Sequence, residues 1–206
     1  MPPLVHRFDQ PDRFVAGTVG EPGSRTFFLQ ARAGTRLVSV SLEKQQVAAL
    51  AQRVDELLDE VMGSAASVVP AVAPLSLSDD APLDQPIEEE FRAGTMTLSW
   101  DPRDERVVIE VFPLIEIEVI TPDELEALEL DPEAELEEAL EEALAEDPEP
   151  DEMLLVRLGA GQARAFVARA QRVVDAGRPG CPFCGGPIDP DGHLCPRANG
   201  FKRRDP

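Results

Sequence analysis

Twice in this chain an apolar pattern of period two passes directly into one of period 3.6. From Leu37 to Leu42 the residues alternate, with Val38, Val40 and Leu42 facing one way and Ser39 and Ser41 the other. From Glu43 onward Val47, Leu50, Ala51, Val54, Leu57, Leu58 and Val61 recur at intervals of three and four. A strand buries alternate residues and a helix buries one stripe, so the pattern predicts a half-buried strand feeding a helix of about five turns. Ser41 is the expected N-cap and Gly63 the expected stop. The same pattern returns 116 residues later, as a strand over Glu152 to Leu158 and a helix over about Gly161 to Ala176. At that offset Leu37, Val38, Val40 and Leu42 fall on Met153, Leu154, Val156 and Leu158, and Gln46 falls on Gln162. The paired glutamines read as helix first-turn chemistry rather than paired catalysis.

The strands before each helix are legible from turns. Arg13 to Val19 and Arg25 to Ala31 flank Glu21-Pro22-Gly23. Phe91 to Trp100 and Arg106 to Val119 flank Asp101-Pro102-Arg103-Asp104, with Gly94 a candidate bulge, Pro113 a bend or break, and Trp100 at the core or its margin. Each half is therefore strands, a final strand and an apolar-faced helix. Two β-meander-plus-helix units merging around one antiparallel sheet give an α+β fold with both helices packed on it. Residues 1–177 form this domain, and residues 178–206 form a small C-terminal zinc-knuckle-like segment.

Two stretches interrupt the pattern. Residues 63–90 contain Pro70, Pro74, Pro82 and Pro86, which forbid a continuous helix or central strand and predict an irregular loop over the sheet. The acidic insert, 121–150, opens with the capping signal Thr121-Pro122-Asp123-Glu124 and a second start at Asp131-Pro132. Its leucines give a narrow stripe, so it is expected to form short docked helices or to fold with a partner. Charge is segregated accordingly. Residues 116–152 carry 18 acidic and no basic side chains, whereas 153–206 carry nine basic and four acidic ones, within a net charge of -21. That field disfavours general nucleic-acid binding. No stretch approaches the roughly 18 apolar residues of a membrane span. The N-terminus lacks the apolar centre of a signal peptide. A cytoplasmic location is expected, with no membrane association.

The sharpest chemical signal is Cys181-Pro182-Phe183-Cys184-Gly185-Gly186 followed by His193-Leu194-Cys195-Pro196. All three cysteines of the chain and one of its two histidines lie within fifteen residues. Three thiolates and one imidazole make a tetrahedral zinc set, and a filled set leaves no place for a reactive water. Cys181, Cys184, His193 and Cys195 are therefore the expected ligands of one structural zinc per chain. A CxxC redox pair fits less well beside a third cysteine and a histidine. Some thirty residues cannot build their own apolar core, so the metal would hold them. The remaining histidine, His6, reads as a surface or core-margin residue.

Arg197, Lys202, Arg203 and Arg204 surround Asn199, Gly200 and Phe201 after the last cysteine. This basic cluster could contact RNA or DNA, the one part of the chain suited to it, or the chain's own acidic insert. The sequence holds no P-loop, no dinucleotide fingerprint and no nucleophile–base pair. It assigns no catalytic residues and leaves the oligomeric state open. The reading is a non-enzymatic binding or adaptor protein with another protein as partner. The alternative is a metal-independent hydrolase or nuclease using carboxylates and arginines, for which Arg13, Arg25, Asp101 and Glu110 are candidates.

The stretches Phe14 to Gly20, Arg25 to Gln30 and Leu42 to Val47, together with the Cys181 to Gly186 and His193 to Gly200 ending, resemble an uncharacterised actinobacterial family with a domain of unknown function. The resemblance covers nearly the whole chain except the Pro-rich loop and the acidic insert. It implies a bacterial, cytoplasmic protein of which the zinc set is an integral part, and it carries no activity across.

Overall fold

The computed structural model describes residues 3–21, 23–64, 68–115, 151–176, 181–184, 195 and 197. Its strands are β1 (Leu4–Asp9), β2 (Arg13–Val19), β3 (Thr26–Ala33), β4 (Arg36–Leu42), β5 (Glu89–Asp101), β6 (Arg106–Pro113) and β7 (Glu152–Gly159). Its helices are α1 (Lys44–Gly63), between β4 and β5, and α2 (Ala160–Asp175), after β7. The α+β class and the two strand-plus-helix units stand as read. The offset of 116 also survives, because β4 begins at Arg36 and β7 at Glu152. The helix starts expected at Thr121 and Asp131, the strand beyond residue 115 and the basic cluster at 202–204 lie outside the described residues.

All seven strands form one sheet in the order β1-β7-β6-β5-β4-β3-β2. It is mixed rather than antiparallel throughout. Within each unit the strands pair antiparallel, joined by short turns except between β6 and β7, which residues 114–151 connect. The junctions β4–β5 and β1–β7 are parallel. A parallel pair needs a long crossover, which α1 and the Pro-rich loop supply in one case and nearly the whole chain in the other. The two ends of the strand order are consecutive in the chain, joined through Gln10 at a positive φ of 52°. Residues 4–9 pair with β7 and residues 13–19 with β3, so β1 and β2 act as one bent strand that closes the sheet on itself. The Arg36 guanidinium spans this closure. It lies 4.5 Å from the Phe8 ring centre and donates to the Arg7 carbonyl at 2.9 Å.

β5 repeats the device within one run: its first residues pair with β4 and the rest with β6, across a register shift between Ala93 and Met96. Gly94 sits in that shift. A Cβ there would lie 2.8 Å from both the Leu114 Cα and the Pro113 carbonyl oxygen. Both obstacles are backbone, so Gly94→Ala is expected to destabilise by about 1–3 kcal/mol in urea unfolding. Gly63→Ala meets nothing within 4 Å and should not lower stability.

The two glutamines lock this arrangement. Gln46 Oε1 accepts the Glu43 N–H at 2.8 Å, which makes Glu43 rather than Ser41 the N-cap of α1. Ser41 stays in β4, buried and paired with Phe28, because the strand runs on to Leu42. Gln162 Oε1 accepts the Gly159 N–H at 3.3 Å in the same way. The other end of each amide reaches the opposite unit. Gln46 Nε2 donates to the Ala93 and Gly94 carbonyls at 3.1 and 3.0 Å, and Gln162 Nε2 donates to the Pro11 carbonyl at 3.1 Å. Each helix start is thus tied to the bend in the other unit's first strand.

The helices pack on one another and on the inner face of the sheet. Phe14, Leu29, Val40, Ile109, Leu154 and Phe166 belong to the resulting core, and Trp100 lies at its margin. Val15 and Phe28 point to the opposite face, where Leu83 of the Pro-rich loop covers them. Gly17 permits that contact, since a Cβ would stand 2.5 Å from the Leu83 side chain.

The loop is strapped down by arginines. Arg13 pairs with Asp79 at 2.6 Å and donates to the Ala81 and Pro82 carbonyls, both at 2.9 Å. From α2, Arg169 donates to the carbonyls of Ala16, Asp79 and Ala81 at 2.7–2.8 Å. Arg164 donates to the Pro70 carbonyl at 3.0 Å and pairs with Asp55 and Asp59 of α1. The stretch reads as an irregular cover in the sequence and is one, but it is anchored at named points.

Candidate metal centre

Cys181, Pro182, Phe183 and Cys184 form a turn beyond α2. Cys181 is buried, Cys184 half-buried, and Cys195 returns to the same place and is buried. The three sulfur atoms all lie within 4.8 Å of one another. Cys181 and Cys195 Sγ are 3.7 Å apart. A disulfide would bring them to about 2.05 Å. A tetrahedral ion with metal–sulfur bonds of about 2.3 Å has sulfur–sulfur edges of about 3.8 Å. These two sulfurs therefore stand at the spacing of ligands on one ion.

The local backbone favours thiolate. The Phe183 N–H points at Cys181 Sγ, 3.4 Å away, as the turn after the first cysteine of a C-x2-C pair requires. Burial pushes the Cys181 thiol up, but the Cys184 and Phe183 N–H groups and the neighbouring sulfurs more than offset it, so its pKa falls below the ordinary thiol value. Thiolate is the form that binds metal. Arg197 Nη1 donates to the Phe183 carbonyl at 3.1 Å and ties the turn to the segment after Cys195. The Phe183 side chain points outward and is 63% exposed. Of the four expected ligands, the structure brings together Cys181, Cys184 and Cys195, while His193 lies outside the described residues.

The carboxylate–arginine alternative finds no common site. Arg13 is engaged by the Pro-rich loop, and Arg25 donates to the Ala176 carbonyl. Asp101 pairs with Arg157 of β7, and Glu110 accepts from Thr97 Oγ1. Each of the four has different partners, and among the described residues no partner is shared between any two of them. Sequence reading names Arg13 but misses Arg169, the arginine that works with it on Asp79. The only signal was an arginine on the helical face that carries the stripe, with Arg169 aligned to Arg53 at the same offset of 116; Arg53, by contrast, is exposed and pairs with Glu56.

No helix among the described residues is long and apolar enough to cross a membrane. A family model described as "Protein of unknown function (DUF3090)" matches residues 6–195, from the end of the sheet that holds β1 to the third cysteine. Comparison with curated proteins and with solved structures gave no match.

Proposed function

The chain belongs to the DUF3090 family, and from that premise we propose that it is a non-enzymatic binding or adaptor protein whose C-terminal cysteines hold one structural zinc ion. The observation that carries this reading is the convergence of three sulfurs at ligand spacing. His193 is the proposed fourth ligand. A Cys3His set closes the tetrahedron, so the ion shapes residues 178–206 as an appendage to the main domain and activates no water. Thiols kept for a metal suit the cytoplasm. Another protein is the proposed partner. The support is Phe183, an exposed aromatic on a turn that the ion would hold rigid, of the kind that anchors protein interfaces.

The test is native mass spectrometry of untagged chain from its own host. One zinc per chain is expected, together with a retained protein. Cys184→Ser should lower zinc occupancy at least tenfold while the melting transition of the main domain stays in place. Phe183→Ala should release the retained protein and keep the zinc. Wild-type chain recovered without zinc would overturn the metal reading, and a partner retained equally by both variants would overturn the role given to this segment.

A further inference from the structure

We propose a second metal site, for a divalent first-row transition ion such as Mn2+, formed by His6, Glu90 and Glu152. These residues come from β1, β5 and β7, strands that lie far apart in sequence. One donor atom from each lies within 4.8 Å of the other two. His6 Nε2 and Glu152 Oε2 are 3.1 Å apart. An octahedral ion with bonds of about 2.1 Å has adjacent donors about 3.0 Å apart and opposite donors about 4.2 Å apart. The first pair therefore already has the spacing of neighbouring ligands. Glu90 is exposed and has the side-chain freedom to close what remains.

The sheet register brings the three residues to one end of the strands. Continuing the β6–β7 register from Val111–Leu154 places Pro113 opposite Glu152. Pro113 is the last residue of β6 and pairs with Ala93 of β5. Beyond it the β6 ladder ends, and the Leu114 N–H donates to the Arg92 carbonyl of β5 at 2.8 Å, so the beginnings of β5 and β7 flank the end of β6. His6 stands beside Glu152 from β1 and is 8% exposed.

Charge and chemistry both ask for a cation. Among the described residues the only ion pair of either glutamate is that of Glu152 with His6, and no arginine or lysine joins them. This contrasts with the carboxylates around the buried Arg164 and Arg169, where Asp55, Asp59 and Asp79 all meet arginine. Two carboxylates match the charge of a divalent ion. The imidazole favours a transition metal over magnesium or calcium, while the two oxygens keep the site harder than the cysteine cluster. The two centres thus differ in metal preference as well as in place.

The test uses the full chain, labelled with 15N and supplied with one equivalent of zinc, into which Mn2+ is titrated while the histidine ring signals are read. The chain has only two histidines, so each ring is resolved. The His6 ring should broaden before one equivalent of Mn2+ has been added, ahead of the His193 ring. Glu90→Gln and Glu152→Gln should each raise the Mn2+ concentration needed by tenfold or more. Glu90 is exposed, so its variant tests the site without threatening the fold. A His6 ring that stays sharp through one equivalent, or a Glu90→Gln titration identical to wild type, would overturn the proposal. The readout is the His6 ring itself, so it stands whether or not zinc occupies the cysteines.

Discussion

Phe166→Ala is expected to remove about 3–5 kcal/mol of unfolding free energy, among the larger losses any single substitution can cause here. The side chain is 1% exposed, at the centre of α2. Its ring stacks at a tilt on Phe14 of β2, with centroids 4.8 Å apart. That contact is where the second unit's helix holds the first unit's opening strand. Truncation leaves a cavity that neither the helix nor the closed sheet can collapse to fill. The urea midpoint should fall without a change in slope. Phe183→Ala, at an exposed position, should stay within about 0.5 kcal/mol of wild type. Equal losses at the two positions would contradict the packing described.

Arg169→Met is expected to cost a comparable 3–5 kcal/mol, about what breaking a buried ion pair from one side costs. The methionine would fill much of the space and replace none of the hydrogen bonds. The carbonyls of Ala16, Asp79 and Ala81 would lose their donor, and Asp79 would keep only Arg13 as a cationic partner. The Pro-rich loop should then be cut faster in limited proteolysis, between residues 68 and 88. Arg172 pairs with Asp80 on the same loop, but both side chains are at least half exposed, so Arg172→Met should change stability by no more than about 1 kcal/mol.

The strap also gives stability a pH dependence of defined sign. The hydrogen bond from Arg13 holds the Asp79 carboxyl below the usual carboxylate range, against a smaller opposing effect of burial, and the Ala81 N–H and the charges of Arg13 and Arg169 add to the lowering. A carboxyl whose folded pKa is depressed stabilises the fold above its unfolded value and loses that contribution as pH falls through the folded one. Asp79→Asn should therefore lower stability at pH 7 and flatten its decline below pH of about 4. A decline as steep as wild type's would place the acid sensitivity elsewhere.

How much of this was legible depends on how local each cause is. The strand-to-helix switches could be read because period two and period 3.6 are written in a few consecutive residues. The cysteine cluster could be read because its three sulfurs fall within fifteen positions. β1 was missed, since its inward residues are one histidine and one phenylalanine and its partner strand begins almost 150 residues later. The N-cap was placed two residues early because Ser41 has the right chemistry and the strand overrode it. The mixed sheet was not legible either, because whether two strands meet parallel depends on how the units join and not on the pattern of either.

The sequence by itself determined the two strand-plus-helix units, the irregular cover between them, the segregation of charge and the grouping of the three cysteines. All of these follow from side-chain period, backbone-restricted residues or short spacing. Only the tertiary structure decided that the first strand bends to close the sheet, that Arg13 and Arg169 share Asp79, and that His6 meets Glu90 and Glu152. Such contacts join residues up to 153 positions apart. Hydrogen bonds and charge pairs of that span leave no periodic trace in the chain, because their geometry exists only once the core has brought the strands together.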